Sequence, residues 1–366
     1  MYDVIIVGAG PAGSAVAKKC AEYDLNTLLL EKKMLPRNKV CSGMVLGSVA
    51  NGLIKEEFGD IPEYILCRPG HLSGAMFHVP GVGSKKADES SLLTWRKDLD
   101  CWMNQGAKAM GAEIWQGSRF TRVREEGNIL LLEVEKDGQN LELRTRFVVG
   151  ADGARSIVRK CLFPNFKINY LEAYQEHFSG QLDLDKNYFH SFRTTGSASY
   201  RFGIVHKDDF FILSFGSGFG QMKMLVKWTK DFLSKHYNFS INQKPVHREA
   251  CLAPMIHKEL MSGMLSPVKG NILLVGEAGG FIMPVIMEGI GIGIKSGIMA
   301  ANSIKKSLES GRQAGVVYIE HVQNIISIFR KVQPFVGRIG KEIEQRKHSV
   351  LELLSKANSF ISDTYN

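Results

Sequence analysis

The sequence lacks the cysteine spacing of a metal centre or of a disulfide framework. Its six cysteines include no C-x-x-C pair, and they lie far apart along the chain, at Cys20, Cys41, Cys67, Cys101, Cys161 and Cys251. Such scatter argues against a zinc site, an iron–sulfur cluster and paired disulfides. We therefore predict no metal, and we expect most of these cysteines to be small buried side chains.

Long apolar runs are missing as well. No stretch approaches the ~18–20 residues of a membrane-spanning helix, and no signal peptide precedes Met1. These absences predict a cytoplasmic protein. The region after Val316 carries apolar residues at near-helical spacing and then basic residues. This tail either packs on its own domain or makes peripheral contact with a membrane.

A strong charge imbalance is also absent. The 46 Lys and Arg residues exceed the 37 Asp and Glu residues by a net charge of +9. This moderate excess fits scattered surface lysines as well as it fits an anionic partner. No nucleic-acid-binding motif is present, so we predict no nucleic-acid partner. No repeat or low-complexity linker occurs either, so two domains would have to be interleaved along the chain.

The chain begins with a strand that runs directly into a glycine turn. Val4 to Val7 is an apolar run typical of a buried parallel strand. Gly8, Gly10 and Gly13 then follow the pattern G-x-G-x-x-G, which suits a tight turn, a close approach to a pyrophosphate and close helix packing. A second strand ends at Glu31, at the spacing of a ribose-binding carboxylate. Together these features predict dinucleotide binding.

Two further strand–glycine–helix segments occur later in the chain. One is Phe147-Val-Val-Gly-Ala-Asp-Gly-Ala-Arg-Ser156, and the other is Asn271-Ile-Leu-Leu-Val-Gly-Glu-Ala-Gly279, which leads into a helix over about 289–310. A helix from Arg96 to about Gly111 and a hairpin at Asp137-Gly138 are also predicted. Residues 165–250 indicate an antiparallel sheet, and the helical tail is expected to break at Pro334 and at 337–340.

The sequence resembles the FAD-dependent proteins of the p-hydroxybenzoate hydroxylase fold, and among them the geranylgeranyl reductase family. Four segments carry the resemblance: the first glycine corner with Glu31, the loop Pro36-Arg-Asn-Lys-Val-Cys-Ser-Gly43, the turn Gly150-Ala-Asp-Gly-Ala-Arg-Ser156, and Val275-Gly-Glu-Ala-Gly-Gly-Phe-Ile-Met-Pro-Val-Ile-Met-Glu-Gly-Ile290. Ser42, Glu277 and Met287 depart from the residues common in that family.

The resemblance implies an α/β fold with a Rossmann-like FAD-binding domain, an interleaved antiparallel substrate domain and C-terminal helices. The FAD-binding domain is expected over 1–70, 93–165 and 266–310. The substrate domain is expected over 71–92 and 166–265, and the helical region over 311–366.

The resemblance also implies a set of site residues. The expected FAD-binding residues are Gly8, Gly10, Pro11, Ala12, Gly13, Glu31, Lys32, Lys39, Cys41, Ser42, Gly43, Arg96, Asp152, Gly276, Glu277, Gly279, Pro284, Glu288, Gly289 and Ile290. Cys41 is the candidate catalytic residue, as a proton donor, and the alternative is a packing role. The expected substrate pocket consists of Tyr200, Phe202 and Phe215, and the alternative is that these aromatics form the core face of a sheet.

Several of these residues have competing interpretations. Lys39 either contacts phosphate or flavin or is solvated. Arg96 either lies beside the FAD or pairs with Asp100 at the helix surface. Asp152 serves the cofactor, caps a helix, or does both. His177, His190 and His206 are general acids or structural side chains.

The activity implied by the resemblance is reduction of a carbon–carbon double bond in a hydrophobic, isoprenoid-like substrate, with FAD as the cofactor. The electron donor would be NAD(P)H or a ferredoxin-like protein. Two alternatives stay open: an NAD(P)H-dependent flavin monooxygenase of the same fold, and a non-catalytic FAD-binding electron carrier or redox sensor.

Overall fold

The computed structural model describes residues 1–194 and 201–363, and it leaves aside the side chains of residues 48, 49 and 359–363. The described strands are, in chain order, β1 (Tyr2–Val7), β2 (Thr27–Leu30), β3 (Met44–Leu46), β4 (Leu66–Val79), β5 (Gly83–Thr94), β6 (Glu113–Trp115), β7 (Ser118–Glu126), β8 (Ile129–Lys136), β9 (Gln139–Gly150), β10 (Tyr170–Ser179), β11 (Tyr188–Arg193), β12 (Arg201–Lys207), β13 (Phe210–Ser217), β14 (His247–Pro254), β15 (Val268–Lys269) and β16 (Ile272–Leu274). The helices are α1 (Pro11–Glu22), α2 (Gly47–Phe58), α3 (Arg96–Ala109), α4 (Ile157–Leu162), α5 (Met222–His236), α6 (His257–Ser262), α7 (Ile290–Ser310), α8 (Ala314–Glu344) and α9 (Ser349–Asp363).

The first sheet brings together strands from both ends of the chain. Its strand order is β15-β16-β9-β1-β2-β6, and β7 and β8 extend from β9. Strand β1 pairs in parallel with β2 and with β9, and β16 pairs in parallel with β9. Val4, Ile5 and Ile6 are fully buried, as expected of a parallel strand covered on both faces. The carboxyl ends of β1, β9 and β16 therefore lie side by side.

The second sheet is mainly antiparallel, with the order β14-β10-β13-β12-β11-β4-β5-β3. One face carries a core of aromatic and aliphatic side chains that packs against α5. The α/β architecture, with its two interleaved sheets, is the one expected from the sequence. The predicted domain boundaries remain predictions, and β3 (Met44–Leu46) pairs with the second sheet although it lies within the segment 1–70.

Several local predictions are confirmed. Helix α3 begins at Arg96, and Gly111 follows its end with a φ of 110°. The hairpin between β8 and β9 turns at Asp137 and Gly138, whose φ values of 51° and 75° suit a two-residue turn. The helix after the third glycine corner spans Ile290–Ser310.

The predicted break in the C-terminal helical region is wrong. Helix α8 continues through Pro334, Gly337 and Gly340 and ends at Glu344. An interior proline costs about 3 kcal/mol in an isolated helix. The buried face of α8, which includes Phe329, Val332 and Ile339, supplies packing that outweighs this cost, since tertiary contacts often override propensity. Within residues 1–194 and 201–363, no helix is both long and apolar enough to cross a bilayer.

Acid pH should destabilise the second sheet through His206. The buried Nε2 of His206 accepts a hydrogen bond from the backbone N–H of Leu182 at 3.1 Å. Protonation of Nε2 would place its hydrogen against the amide hydrogen of Leu182 and break this hydrogen bond. Burial lowers the pKa of His206 from 6.5 to about 4. Between these two pH values the unfolded chain binds more protons than the folded chain. The contribution of neutral His206 to the free energy of unfolding is therefore complete above pH 6.5 and is lost as the pH falls towards 4.

This contribution is up to about 3 kcal/mol. We expect the free energy of unfolding, measured by urea titration at a series of pH values, to fall between pH 6.5 and 4 and to fall less steeply in His206→Asn. The exposed His71 is the matched control, and His71→Asn should keep the wild-type slope. An unchanged slope in His206→Asn would contradict the assignment.

Candidate functional site

The three glycine turns converge at the carboxyl ends of β1, β9 and β16. Gly8 has a φ of 110°, and a Cβ atom built there would lie 2.5 Å from the carbonyl oxygen of Ala151. A Cβ atom on Gly13 would lie 1.9 Å from the carbonyl oxygen of Gly8. A Cβ atom on Gly276 would approach Ala12 Cβ to 3.1 Å. These glycines allow the three turns and α1 to pack directly on one another, as predicted for Gly13.

Gly10 differs from these packing glycines. A Cβ atom on Gly10 would meet only the Nη2 atom of Arg37, at 3.7 Å, among the described residues. Gly10 also precedes α1, whose N-terminus carries no side-chain cap and no acidic residue in its first turn. The free N–H groups of such a helix end, with its positive dipole, suit a phosphate. The open space beside Gly10 is therefore where a pyrophosphate fits.

A chain of buried and partly buried ion pairs flanks this helix end. Glu31 accepts hydrogen bonds from the backbone N–H groups of Ala9 at 3.1 Å and Lys33 at 3.0 Å. Arg37 donates through Nε to Glu31 at 3.0 Å and through Nη1 to Asp100 at 3.2 Å.

Arg96 completes this chain of ion pairs by binding Asp100 through two hydrogen bonds, of 2.7 and 3.0 Å. Arg96 and Asp100 are both buried, so their pair is not at the helix surface. Burial by itself would lower the pKa of Arg96, but Asp100 raises it overall. Arg96 lies in the cleft wall as well.

Asp152 caps helix α4. Its carboxylate accepts hydrogen bonds from the Ser156 hydroxyl and from the backbone N–H groups of Ile157 at 2.6 Å and Val158 at 3.2 Å. Burial raises the pKa of Asp152. Arg159 on the same helix donates to the carbonyl oxygen of Ala278 at 2.9 Å, and so ties the second glycine turn to the third.

Lys39, Glu277, Cys41 and Cys251 line the middle of the cleft. Lys39 Nζ lies 3.6 Å from Glu277 Oε2, and Glu277 raises the pKa of Lys39. The Glu277 Oε2 atom is buried and, among the described residues, has no hydrogen-bond partner. Burial raises the pKa of the Cys251 thiol to about 11. This part of the cleft thus holds a cation, a carboxylate oxygen that can accept a hydrogen bond, and two thiols.

One cleft of about 750 Å³ runs from the Gly10 corner to Lys39, Glu277 and the two thiols. The predicted FAD-binding residues that line it are Gly8, Gly10, Pro11, Ala12, Glu31, Lys32, Lys39, Cys41, Arg96, Asp152, Gly276, Glu277, Gly289 and Ile290. The predicted residues outside its lining are Gly13, Ser42, Gly43, Gly279, Pro284 and Glu288. Among the described residues, no group of His, Cys, Asp and Glu side chains is arranged to hold a metal ion.

Two of the predicted residues outside the lining, Glu288 and Gly279, support the backbone around the third glycine turn and α7. The carboxylate of Glu288 accepts hydrogen bonds from the backbone N–H groups of Gly291 at 2.6 Å and Ile292 at 3.3 Å, so it caps α7 itself. A Cβ atom on Gly279 would lie 2.6 Å from the carbonyl oxygen of Leu274. The loop before α7 has Met287 at a φ of 59°, a left-handed conformation that favours glycine. Met287 itself faces the cleft.

The loop of Ser42 and Gly43 is held by the buried Lys207. Lys207 Nζ donates to the carbonyl oxygens of Ser42 at 2.9 Å and Thr94 at 2.7 Å, and it lies 4.0 Å from the centroid of the Trp95 ring. Burial lowers the pKa of Lys207. Gly43 has a φ of 74°, and a Cβ atom there would lie 1.9 Å from the carbonyl oxygen of Thr94, which is why this loop needs a glycine.

The predicted substrate pocket needs correction. Phe202 and Phe215 are 1% and 3% exposed and belong to the aromatic core beneath α5. They are direct cross-strand partners and share one face of the sheet, and neither of them lines the cleft. The alternative interpretation, that the alternating aromatics form a core face, is the one the structure shows for these two residues. Tyr200, the third predicted residue, lies outside the described residues.

Sequence reasoning missed some of the cleft residues. One of them is Arg37, which lies in the same loop as Lys39. Arg119 and Arg155 add positive charge to the lining, and Cys251 adds the second thiol. The charge of Arg155, within the second glycine turn, was a usable signal. The position of Cys251 depends on strand register, which no local pattern revealed.

The cleft residues fit FAD. The open corner at Gly10 and the uncapped start of α1 suit a pyrophosphate. Glu31, at the end of β2, suits a ribose hydroxyl. The buried oxygen of Glu277, which lacks a hydrogen-bond partner, suits a polar hydrogen of the cofactor. The cationic side chains that line the cleft outnumber the carboxylates, which favours an anionic ligand.

Comparisons with known proteins agree with this fit. Residues 80–235 match the family model described as FAD binding domain, and residues 3–62 match that of Glucose inhibited division protein A. Protein CbrA of Escherichia coli O157:H7 is 28% identical over 318 residues, which cover 84% of this chain and 85% of that protein.

Solved structures share the fold over nearly the whole chain. A geranylgeranyl bacteriochlorophyll reductase-like protein of Thermoplasma acidophilum superposes with a TM-score of 0.79 at 19% identity, covering 98% of this chain and 91% of that one. A variant of the halogenase PltM, in complex with FAD, gives a TM-score of 0.73 at 14% identity and covers 97% and 79% of the two chains. The chain has the fold of FAD-dependent oxidoreductases of the p-hydroxybenzoate hydroxylase type, and the matches support FAD as its cofactor.

Proposed function

We propose that this chain is an FAD-dependent reductase that saturates a carbon–carbon double bond of a largely hydrophobic substrate. The observation that carries the proposal is the cleft itself, in which the nucleotide-binding corner at Gly10 is continuous with the thiols of Cys41 and Cys251. Reduced FAD supplies hydride when it is bound. Reduction of a double bond also needs a proton, and the thiols that line the same cleft support the proposal as candidate proton donors.

The residues of the chain have distinct parts in this proposal. Gly10, Glu31 and the start of α1 bind the nucleotide portion of the cofactor. Lys39 and Glu277 hold a fixed charge pair beside the cleft. The Cys41 Sγ accepts a hydrogen bond from the backbone N–H of Gly43 at 3.4 Å, which orients the thiol that we propose as proton donor.

Lys207 is a positioning residue in the same proposal. It binds the carbonyl oxygen of Ser42 and thereby fixes the loop that carries Cys41.

Anaerobic reoxidation tests the proposal. The FAD-loaded protein is reduced with dithionite, the excess is removed, and candidate polyprenyl alkenes are added without oxygen. We expect the yellow colour of oxidised flavin to return together with the saturated product, detected by mass spectrometry. Cys41→Ala should slow product formation by about 10²-fold or more, as for loss of a general acid, and should leave the FAD content unchanged.

Cys101→Ala is the matched control because Cys101 lies on α3 and does not line the cleft. It should keep the wild-type rate. Oxygen-dependent formation of a hydroxylated product would instead identify a monooxygenase. Electron transfer to a protein acceptor, with no turnover of a small molecule, would identify an electron carrier.

A further inference from the structure

One row of residues on the face of the second sheet that looks towards the cleft ends in two arginines. Cross-strand partners share a face, and the pairs Arg193–Arg201, Arg201–Gly216, Gly216–Ala173 and Ala173–Cys251 form one row across five strands. Ala173 and Cys251 line the cleft. The row therefore leads from the cleft, past two small residues, to two arginines.

The side chain of Arg201 extends along this row towards the cleft. A Cβ atom on Gly216 would lie 3.3 Å from Arg201 Nη2 and 3.6 Å from Arg201 Nε. The guanidinium group thus lies over the backbone of Gly216, in space that the glycine leaves open. Arg193, its direct neighbour on β11, donates through Nη2 to the carbonyl oxygen of Val285 at 3.2 Å, in the loop that ends at α7.

The positive charges of these two arginines are unpaired within the part of the chain that the structure describes. No carboxylate is among the groups that shift the pKa of either guanidinium group there, and residues 195–200 contain no Asp or Glu. The Arg193 Nε atom is buried without a hydrogen-bond partner. Burial, and then the charge of Arg201, lower the pKa of Arg193 to about 9.

Three other buried cations, Arg96, Lys207 and Arg159, have partners of their own. Arg96 has the carboxylate of Asp100, Lys207 has two carbonyl oxygens, and Arg159 has the carbonyl oxygens of Ala154 and Ala278. A pair of like charges that lacks such partners destabilises the protein unless a ligand supplies the negative charge. Paired guanidinium groups match the oxygens of a carboxylate or a phosphate.

We propose that Arg193 and Arg201 form an anion subsite that binds a carboxylate or phosphate group of the substrate. The inference rests on the proposed function, since it specifies the substrate as a molecule with an apolar body and an anionic end. The anionic end would lie at the arginines, and the apolar body would extend along Gly216 and Ala173 towards Cys41 and Cys251.

Binding of matched probes tests the subsite. Decanoate, decyl phosphate and the neutral decanamide are titrated into the FAD-loaded protein by isothermal calorimetry. We expect at least one anionic probe to bind roughly tenfold to hundredfold more tightly than decanamide. Arg193→Gln and Arg201→Gln should each reduce this preference, and the double variant should abolish it. The order of the two anions distinguishes a carboxylate site from a phosphate site.

Arg248→Gln is the matched control, since Arg248 lies in the same sheet with an exposed side chain that pairs with Glu176. It should keep the preference for the anionic probe. Equal binding of all three probes to the wild type, or a preference that survives in the double variant, would overturn the subsite. If the preference is present but no alkene is reduced, the subsite stands and the proposed reductase activity fails.

Thermal stability without probe gives a second readout. A binding role predicts that Arg201→Gln leaves the melting temperature unchanged or raises it, because the substitution removes one of two like charges. A purely structural role predicts a lower melting temperature. Loss of folding in Arg201→Gln would therefore also count against the proposal.

Discussion

Gly10→Val should give a protein that folds normally and binds no FAD. Among the described residues, Arg37 Nη2 at 3.7 Å is the only atom within 4 Å of a Cβ atom added to Gly10, so the added side chain meets little resistance from the protein. It does fill the corner where the pyrophosphate approaches the backbone. We expect FAD affinity to fall by at least about 100-fold, since close contact with the phosphates is lost.

The measurement is FAD titration of the apoprotein, followed by flavin fluorescence, together with the melting temperature of the apoprotein. Gly52→Val is the matched control. Gly52 lies in α2 and is absent from the cleft lining, and no described atom outside the backbone of α2 lies within 4 Å of the position that its Cβ would take. That variant should bind FAD as the wild type does. A Gly10→Val protein that still takes up FAD fully would show that the pyrophosphate lies elsewhere.

The parts of the fold that the sequence predicted are those that short segments determine. The corner from Val4 to Gly13 contains its own strand, turn and helix start, and each residue type has a local physical reason. The same holds for the hairpin at Asp137 and Gly138, whose positive φ values suit these residues. Convergence of the three corners followed from the resemblance, and the parallel pairing of β1, β9 and β16 confirms it.

The predictions that failed depend on distant contacts. The alternating aromatics of β12 and β13 correctly indicated strands, but alternation alone does not say which face is turned to the cleft. The face with Phe202 and Phe215 is covered by α5, which lies after both strands in the sequence. Pro334 failed as a helix breaker for the same reason, because the packing of α8 decides its length.

The sequence predicted only some of the ion pairs of the site. Arg96 and Asp100 stand one helical turn apart, so their contact could be expected. The link from Asp100 through Arg37 to Glu31 joins three separate elements, and no spacing predicts it. The arginine row on β11 and β12 needs the register of five strands, which only the structure provides.

Gly13→Val should destabilise the protein itself. A Cβ atom at this position would lie 1.9 Å from the carbonyl oxygen of Gly8 and 3.2 Å from Ala151 Cβ. The nearest of these atoms belongs to the backbone of the turn, which cannot rotate away as a side chain can. Relief therefore requires α1 to move off the first sheet, although Val16 and Ala17 are fully buried in that contact.

Overpacking of a tight core typically costs about 1–3 kcal/mol and occasionally more, and this contact is closer than any real Cβ contact. We expect a loss of about 3 kcal/mol or more, a large fraction of the ~5–15 kcal/mol that stabilises a typical domain. The free energy of unfolding of the apoprotein, from urea titration, measures the loss. Gly13→Val with wild-type stability would refute the packing of α1 on the first turn.

The two substitutions separate the two uses of glycine in one motif. Gly10→Val should lose the cofactor and keep the fold of the apoprotein, whereas Gly13→Val should lose stability whether or not FAD is present. If both variants lost only stability, the glycines would serve packing alone, and the first corner would have no assigned ligand. A pyrophosphate site beside a tightly packed helix requires that Gly10→Val selectively loses FAD and that Gly13→Val selectively loses stability.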